Sequence, residues 1–297
     1  ANEYDYFSIG FGGGHTWLFN DKNTELDING SVYLDTWNAI YPGELRQFSD
    51  QNTGSVSEID GKQITGNPNY RPRFKSFTDE ARNSYALGLS FSQILSKRMQ
   101  AMVLADFVQQ SGLLSTPFQR VYFADVANSY IANFHLADAN ERLPDNRSKV
   151  ALGTRVNYYL NERFVLRNYY RFYSDNWGIV SHTYQVEMPI KVGTKFTLYP
   201  SYRYYEQSQA DYFAPYESHL SSEEFYTSDF DLSTYQANQF GLGFNYTDIF
   251  TKTHIQNFGL KSIDFKVSYY ERNTGLNAIL VAIGVKFVLD RKNLKEE

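Results

Sequence analysis

Two kinds of side chain alternate most clearly in LNAILVAIGVKFVL, residues 276–289. A β-strand sends successive side chains to opposite faces, so this alternation predicts a strand with one apolar face and one face of small or polar residues. The apolar face holds Ile279, Val281, Ile283, Val285, Phe287 and Leu289, and the other face holds Ala278, Ala282, Gly284 and Lys286.

Ten further segments show the same alternation, most clearly at 148–160 and 235–248. Most have the about 9–11 residues that a tilted strand needs to cross the hydrocarbon layer of a membrane. The eleven predicted strands are 4–18, 24–37, 83–95, 99–111, 148–160, 164–176, 180–192, 195–207, 235–248, 262–272 and 276–289.

The composition agrees with a membrane barrel and excludes several other classes. The 297 residues include 17% aromatics, yet the mean hydropathy is only -0.49. Alternating strands average to a hydrophilic composition, and aromatic girdles raise the share of Tyr and Phe. No apolar run is long enough for a transmembrane helix. With 28 basic and 33 acidic residues and no Cys, nothing indicates nucleic acid, disulfides or a Cys-bound metal, and no cofactor is predicted.

The connections supply a second, independent signal. Tight polar turns, such as 20–23 and 96–98, alternate with three long loops near 38–82, 113–147 and 208–234. Each long loop follows an even-numbered strand, which is typical of barrels with short periplasmic turns and long extracellular loops. The sequence therefore predicts an all-β, antiparallel transmembrane β-barrel in the bacterial outer membrane, surrounded by its lipids.

The strand count leads to a further expectation. Eleven is odd, whereas a bacterial barrel with both ends in the periplasm needs an even number of strands. Residues 1–297 are thus predicted to be a single barrel domain that lacks one or more N-terminal strands, with 12 or 14 strands in the full protein. The alternative is that one strand has been split or missed.

Charged residues on the polar faces form a predicted lumen cluster. One interpretation is a selectivity surface for an anionic solute. The other is an ion-paired filling, because charges that face lipid are costly and must point inward. The cluster comprises Arg155, Arg167, Arg171, Arg203, Lys266, Arg272, Asp106, Glu187 and Asp264.

The long loops contain prolines and aromatic residues, which indicates ordered loops that fold over the mouth or bind a partner. The candidate contact residues are Pro117, Phe118, Tyr212, Phe213 and Tyr216. For catalysis, the sequence offers only Asp175, placed across a short hairpin where it could orient His182, and no nucleophile accompanies them. We therefore expect no enzyme, no catalytic residues and no metal site.

Several stretches resemble an uncharacterised outer-membrane β-barrel family of Gram-negative bacteria, known as a domain of unknown function. The resemblance implies the barrel fold, strand-like sequence upstream of residue 4, and a link to an envelope redox system, but no known activity. The matching stretches are LLSTPFQRVYF (113–123), ERLPDNR (141–147), YYLNERFVLRNYYRFYSDNWGIVSHT (158–183), LYPSYRYYEQSQADYFAPY (198–216), YTSDFDLS (226–233) and GLNAILVAIGVKF (275–287).

Two functions follow as expectations. The first is a structural or partner-binding component of an outer-membrane complex, with other envelope proteins or lipoproteins as partners. The alternative is a narrow, porin-like passive channel for small anionic solutes that serves an envelope redox system.

Overall fold

The computed structural model describes residues 5–38, 40–46, 57–59, 61–74, 79–248 and 251–289. Within these residues, thirteen strands join into one antiparallel sheet, which forms the wall of a β-barrel. The wall strands are β1 (Tyr6–Phe19), β2 (Thr24–Trp37), β6 (Glu80–Ser96), β7 (Met99–Gly112), β12 (Asn146–Tyr159), β13 (Val165–Asp175), β14 (Val180–Glu187), β15 (Ile190–Val192), β16 (Phe196–Gln207), β17 (Tyr235–Thr247), β18 (His254–Ile255), β19 (Phe258–Arg272) and β20 (Asn277–Leu289).

The predicted fold class and the order of the eleven segments are confirmed, with two corrections. The predicted strand 180–192 is divided into β14 and β15, because Pro189 has no backbone N–H to donate to the ladder. The predicted strand 262–272 begins earlier, at Phe258, and β18 pairs with its first residues. The strand expected before residue 1 stays a prediction.

The loops contain the remaining elements. Three small sheets join β3 to β4, β8 to β11, and β5 to β9 and β10. Parts of the loop near 38–82 lie outside the described residues. The loop elements are α1 (Gly43–Arg46), β3 (Glu58–Ile59), β4 (Lys62–Gln63), β5 (Thr65–Gly66), β8 (Arg120–Val121), β9 (Ser129–Ile131), β10 (Phe134–His135), β11 (Ala139–Asn140) and the 3-10 helix η1 (Phe230–Leu232).

The wall has an apolar outward face. Residues that pair directly across an antiparallel ladder share a face, so the register carries the pattern from strand to strand. Phe240, for example, pairs with Tyr269, and Tyr269 pairs with Ile279. Ile279 is 73% exposed and Ile283 is 71% exposed. This high exposure is expected of apolar side chains that contact lipid instead of a protein core. Among the described residues, no helix has the length and apolar character to cross a membrane.

The buried apolar core lies in the loops and not inside the wall. Because the inner faces of the strands are largely polar, they offer few apolar side chains to one another. Four apolar clusters form instead among the long loops and the short turn 176–179, around Tyr70, Phe123, Trp177 and Phe213. We call the described residues of the loops 38–82, 113–147 and 208–234 the loop cap.

Candidate functional site: the polar interior and the loop cap

The structure places all nine residues of the predicted charge cluster on one face of the wall. The ladder pairs Arg155 with Tyr169, Tyr169 with Gln185, and Gln185 with Arg203, so these side chains share the polar face. The same registers place the other members on that face: Asp106, Arg167, Arg171, Glu187, Asp264, Lys266 and Arg272. In a barrel whose other face meets lipid, the polar face lines the interior.

Two arginines of this face are held by carboxylates on neighbouring strands. Arg167 Nη1 lies 2.9 Å from Glu187 Oε1, and Arg171 Nη2 lies 3.4 Å from Asp106 Oδ2. The Arg171 and Asp106 side chains are each more than 40% exposed, so this pair contributes at most about 1 kcal/mol. These two pairs fit the interpretation of an ion-paired interior.

Other basic residues of the interior have no such partner. Within the described part of the chain, no carboxylate lies within 4.0 Å of Arg155, Arg203 or Lys266. The Arg155 guanidinium lies 5.7 Å from the centre of the Tyr169 ring instead. Asp264 accepts a hydrogen bond from Asn245 at 2.5 Å. The interior therefore combines neutralised pairs with uncompensated positive charge.

Arg272 has a different role from the rest of the cluster. It lies near the loop end of β19, where Nη1 is 2.8 Å from Asp231 Oδ1 and Nη2 donates to the Phe230 carbonyl. Gln207, also on the polar face, donates to the carbonyls of Asp231 (3.0 Å) and Ser233 (2.7 Å). Interior side chains thus hold η1, so the loop 208–234 folds inward at this end of the barrel.

The one pair considered for catalysis is separated by the sheet. Register places Asp175 on the polar face and His182 on the outward face, opposite Phe172. His182 Nδ1 lies 2.8 Å from the Tyr170 hydroxyl. The fully buried Asp175 carboxylate lies 2.5 Å from Arg147 Nη2. Asp175 therefore does not orient His182, and that expectation is wrong.

Asp175 instead organises a junction between the wall and the loop cap. It accepts hydrogen bonds from the Tyr173 hydroxyl at 2.7 Å and from the backbone N–H of Trp177 at 3.0 Å. The Arg147 guanidinium stacks 4.2 Å from the Trp177 ring centre, and the indole N–H donates to the Asn146 carbonyl at 3.0 Å. The alternation of strands does not reveal this junction; the only signal in the sequence is the turn residues Asp175-Asn-Trp-Gly178 between two strands.

Glu141 joins two loops inside the cap and was not singled out by the sequence. Its side chain is 2% exposed and accepts hydrogen bonds from the Thr116 N–H and the Thr227 hydroxyl, both at 2.5 Å. Burial raises the pKa of Glu141 to about 7, and its hydrogen bonds only partly offset this effect. The carboxyl thus connects loop 113–147 to loop 208–234 in a site where its charge is costly.

Two further buried groups hold the same loops. The Asp138 carboxylate accepts the Phe123 N–H at 2.9 Å, and burial raises the pKa of Asp138 to about 6. His219 is 2% exposed; its Nε2–H donates to the Thr227 carbonyl at 2.8 Å, and its Nδ1 lies 2.6 Å from Glu223. Polar groups buried in a loop cluster must find partners within it, and these contacts make the cap an ordered body.

The predicted loop contact residues divide into two groups. Pro117 and Phe213 are buried, and Tyr212 packs against Trp177 with ring centres 6.3 Å apart. These three fill the interior of the cap, so a partner would not reach them. Phe118 is 57% exposed and Tyr216 is 53% exposed on the surface of the cap.

Known proteins offer limited guidance. No curated protein matches the chain. Among solved structures, a mutant of the ferric enterobactin receptor PfeA from Pseudomonas aeruginosa matches with a TM-score of 0.43 and 9% identity, over 94% of this chain and 39% of the receptor. The KdgM porin, in complex with disordered oligogalacturonate, matches with a TM-score of 0.33 and 7% identity, over 95% of this chain and 100% of the porin.

A third match is LpxR from Salmonella typhimurium, with a TM-score of 0.32 and 8% identity, over 95% of this chain and 88% of LpxR. This chain spans about two fifths of the length of the enterobactin receptor structures. At these scores the overlaps support no inference about a ligand or an activity.

The family comparison is decisive, because one family model covers nearly the whole chain, residues 1–285. Its description, "Protein of unknown function (DUF3570)", agrees with the family that the sequence resembles. The chain is an antiparallel β-barrel protein, and it belongs to this DUF3570 family.

Proposed function

We propose that this protein is a binding component of an outer-membrane complex, which presents the loop cap outside the cell as a fixed surface for another envelope protein. The supporting observation is that the cap is ordered by its own core while aromatic side chains remain on its surface. Phe118, Phe134 and Tyr216 are each about half exposed although buried aromatics lie close by. Ordering before binding lowers the entropic cost of association, and exposed aromatics are the side chains that interfaces favour. The role is binding and not catalysis.

Site-specific photocrosslinking in intact cells tests this role. A photoreactive amino acid is placed at Phe118, Phe134 or Tyr216, and in a control at Ser222, a polar and exposed position of the same cap. We expect a discrete protein adduct from at least one aromatic position and none from Ser222. Absence of an adduct at all three aromatic positions would contradict the proposed role.

A second role, a narrow passage for small anions, is favoured by a separate observation. Arg155 and Arg203 lie on the interior face with no carboxylate partner in the described part of the chain. Uncompensated basic residues along a pore attract anions and repel cations. Single-channel recording in a planar bilayer should then show anion-selective openings whose selectivity falls in Arg203→Glu. A bilayer that stays silent over the wild-type protein would exclude the passage.

A further inference from the structure

The interior wall carries a continuous row of polar side chains that the ladder places side by side. Arg155 lies opposite Tyr169, Tyr169 opposite Gln185, and Gln185 opposite Arg203. The row continues from Arg203 to Gln239. Neighbouring strands are about 4.8 Å apart, so the backbones of Arg155 and Arg203 are separated by about 14 Å.

The charges along this row are available to a ligand. Arg167 and Arg171, the neighbouring arginines, already contact Glu187 and Asp106. Arg155 and Arg203 have exposed side chains and no ion pair in the residues that the structure describes. A guanidinium group binds carboxylate and phosphate through paired N–H donors, so either free arginine can receive an anionic group.

Cavities adjoin both free arginines. One of about 470 Å³ is lined by Arg155, Asn157, Tyr169 and Gln185, together with the Arg167–Glu187 pair. A second, of about 270 Å³, is lined by Arg203, Tyr205, Gln239 and Tyr270, among others. The larger cavity lies within the range of small-molecule sites.

The polar groups around the larger cavity indicate what else the ligand carries. Asn157 Oδ1 is buried and has no hydrogen-bond partner among the described residues, although its Nδ2 donates to Gln100 at 3.3 Å. A buried acceptor without a donor is unfavourable, and rotation of the Asn157 amide into the adjoining cavity would let it accept a hydrogen bond from a ligand hydroxyl. The Gln185 amide and the Tyr169 hydroxyl can exchange further hydrogen bonds with hydroxyl groups.

We propose that this row is a binding site for a small anionic solute that carries several hydroxyl groups, such as a sugar acid or a sugar phosphate. Arg155 or Arg203 binds the anionic group, and Asn157, Tyr169 and Gln185 bind the hydroxyls. The proposal deepens the anion-passage role and rests on it for access of the ligand from water.

Calorimetric titration of the full chain in detergent tests the site with four probes: D-glucuronate, D-glucose 6-phosphate, D-glucose and benzoate. We expect at least one of the two anionic sugars to bind at least tenfold more tightly than both glucose, which lacks the charge, and benzoate, which lacks the hydroxyls. The preference between the first two identifies the carboxylate or the phosphate. Failure of both anionic sugars to bind, or equal binding of benzoate, overturns the proposal.

Variants locate the site. Arg155→Gln and Arg203→Gln should each weaken binding of the preferred anionic sugar about threefold or more, and the double variant at least tenfold. Lys97→Gln, which removes one charge from an exposed turn, should leave it unchanged. Arg155→Lys keeps the charge but loses the paired donors, so its binding should be intermediate. The double variant must keep the heat-dependent gel mobility of a folded barrel. If the folded double variant binds like the wild type, the proposal is overturned.

The titration tests the binding site, and the bilayer recording tests the passage, so a negative result in one can be told apart from a negative result in the other. Binding without conductance would contradict a passage through the barrel and leave the site in place, with access for the ligand from one end of the interior. Conductance without binding of either anionic sugar would support the passage and overturn the site.

Discussion

Glu141 is expected to make the stability of the loop cap depend on pH. Its pKa is about 7 in the folded cap, against an ordinary value of 4.5, because burial penalises the charged form. The folded cap therefore binds the proton more tightly than the open cap does. The resulting stabilisation is complete below about pH 4.5 and is lost as the pH rises through 7.

The difference between the two pKa values sets the size of the effect. At about 1.36 kcal/mol per pKa unit, a pKa difference of about 2.5 corresponds to about 3 kcal/mol, or a limiting change of about three hundredfold in the opening equilibrium. Burial also raises the pKa of Asp138, so Asp138 contributes to the same pH dependence. The nearby Asp229 carboxylate raises the pKa of Glu141 further.

Hydrogen–deuterium exchange measures this opening locally. The backbone N–H of Thr116 donates to Glu141, so its protection, corrected for the intrinsic exchange rate, reports the contact. Protection should fall by about a hundredfold between pH 4.5 and pH 8 in the wild type. In Glu141→Gln the part of this dependence due to Glu141 should disappear, whereas Glu224→Gln, an exposed change in the same cap, should keep it. An unchanged pH profile in Glu141→Gln would show that Glu141 does not set the pH dependence of the cap.

Three further predictions concern the wall and its junction with the cap. Val281→Arg places a charge on the outward face and should lower the free energy of unfolding from lipid vesicles by about 2–4 kcal/mol. Ala282→Arg, on the interior face, should lower it less. Equal losses in the two variants would contradict the assignment of the two faces. Arg272→Ala removes the contact to Asp231 and should speed limited proteolysis within residues 228–234, and an unchanged cleavage rate would show that η1 is held by other contacts. Gly112 has φ +101°, and a Cβ there would lie 1.9 Å from the Ala81 carbonyl oxygen. Gly112→Ala should therefore lower the free energy of unfolding by about 1–3 kcal/mol in the same assay. Gly13→Ala, whose Cβ would meet open space, should have no such effect.

The sequence was sufficient for the wall of the barrel. In a strand, the face of each side chain depends only on whether its position is odd or even, so Ile279 and Ala278 are assigned to opposite faces without any knowledge of neighbours. The sorting of short turns and long loops then indicated a barrel, and the charge of Arg155 or Arg203 required the inward face. The two failures have local causes: Pro189 interrupts one strand, and β19 begins before its alternation becomes regular.

The tertiary structure alone decided which residues meet. Alternation cannot predict which arginine finds a carboxylate, because that depends on register between strands: Arg167 is opposite Glu187, while Arg203 is opposite Gln185. The strand registers also place Asp175 and His182 on different faces of the sheet. The tertiary structure also buried Glu141 between two loops that are distant in sequence, where burial and not residue type sets its pKa. Strand alternation thus predicts a barrel with one apolar and one polar face, and the register and the loop packing decide which charges stay free in its interior and how the loops are held together.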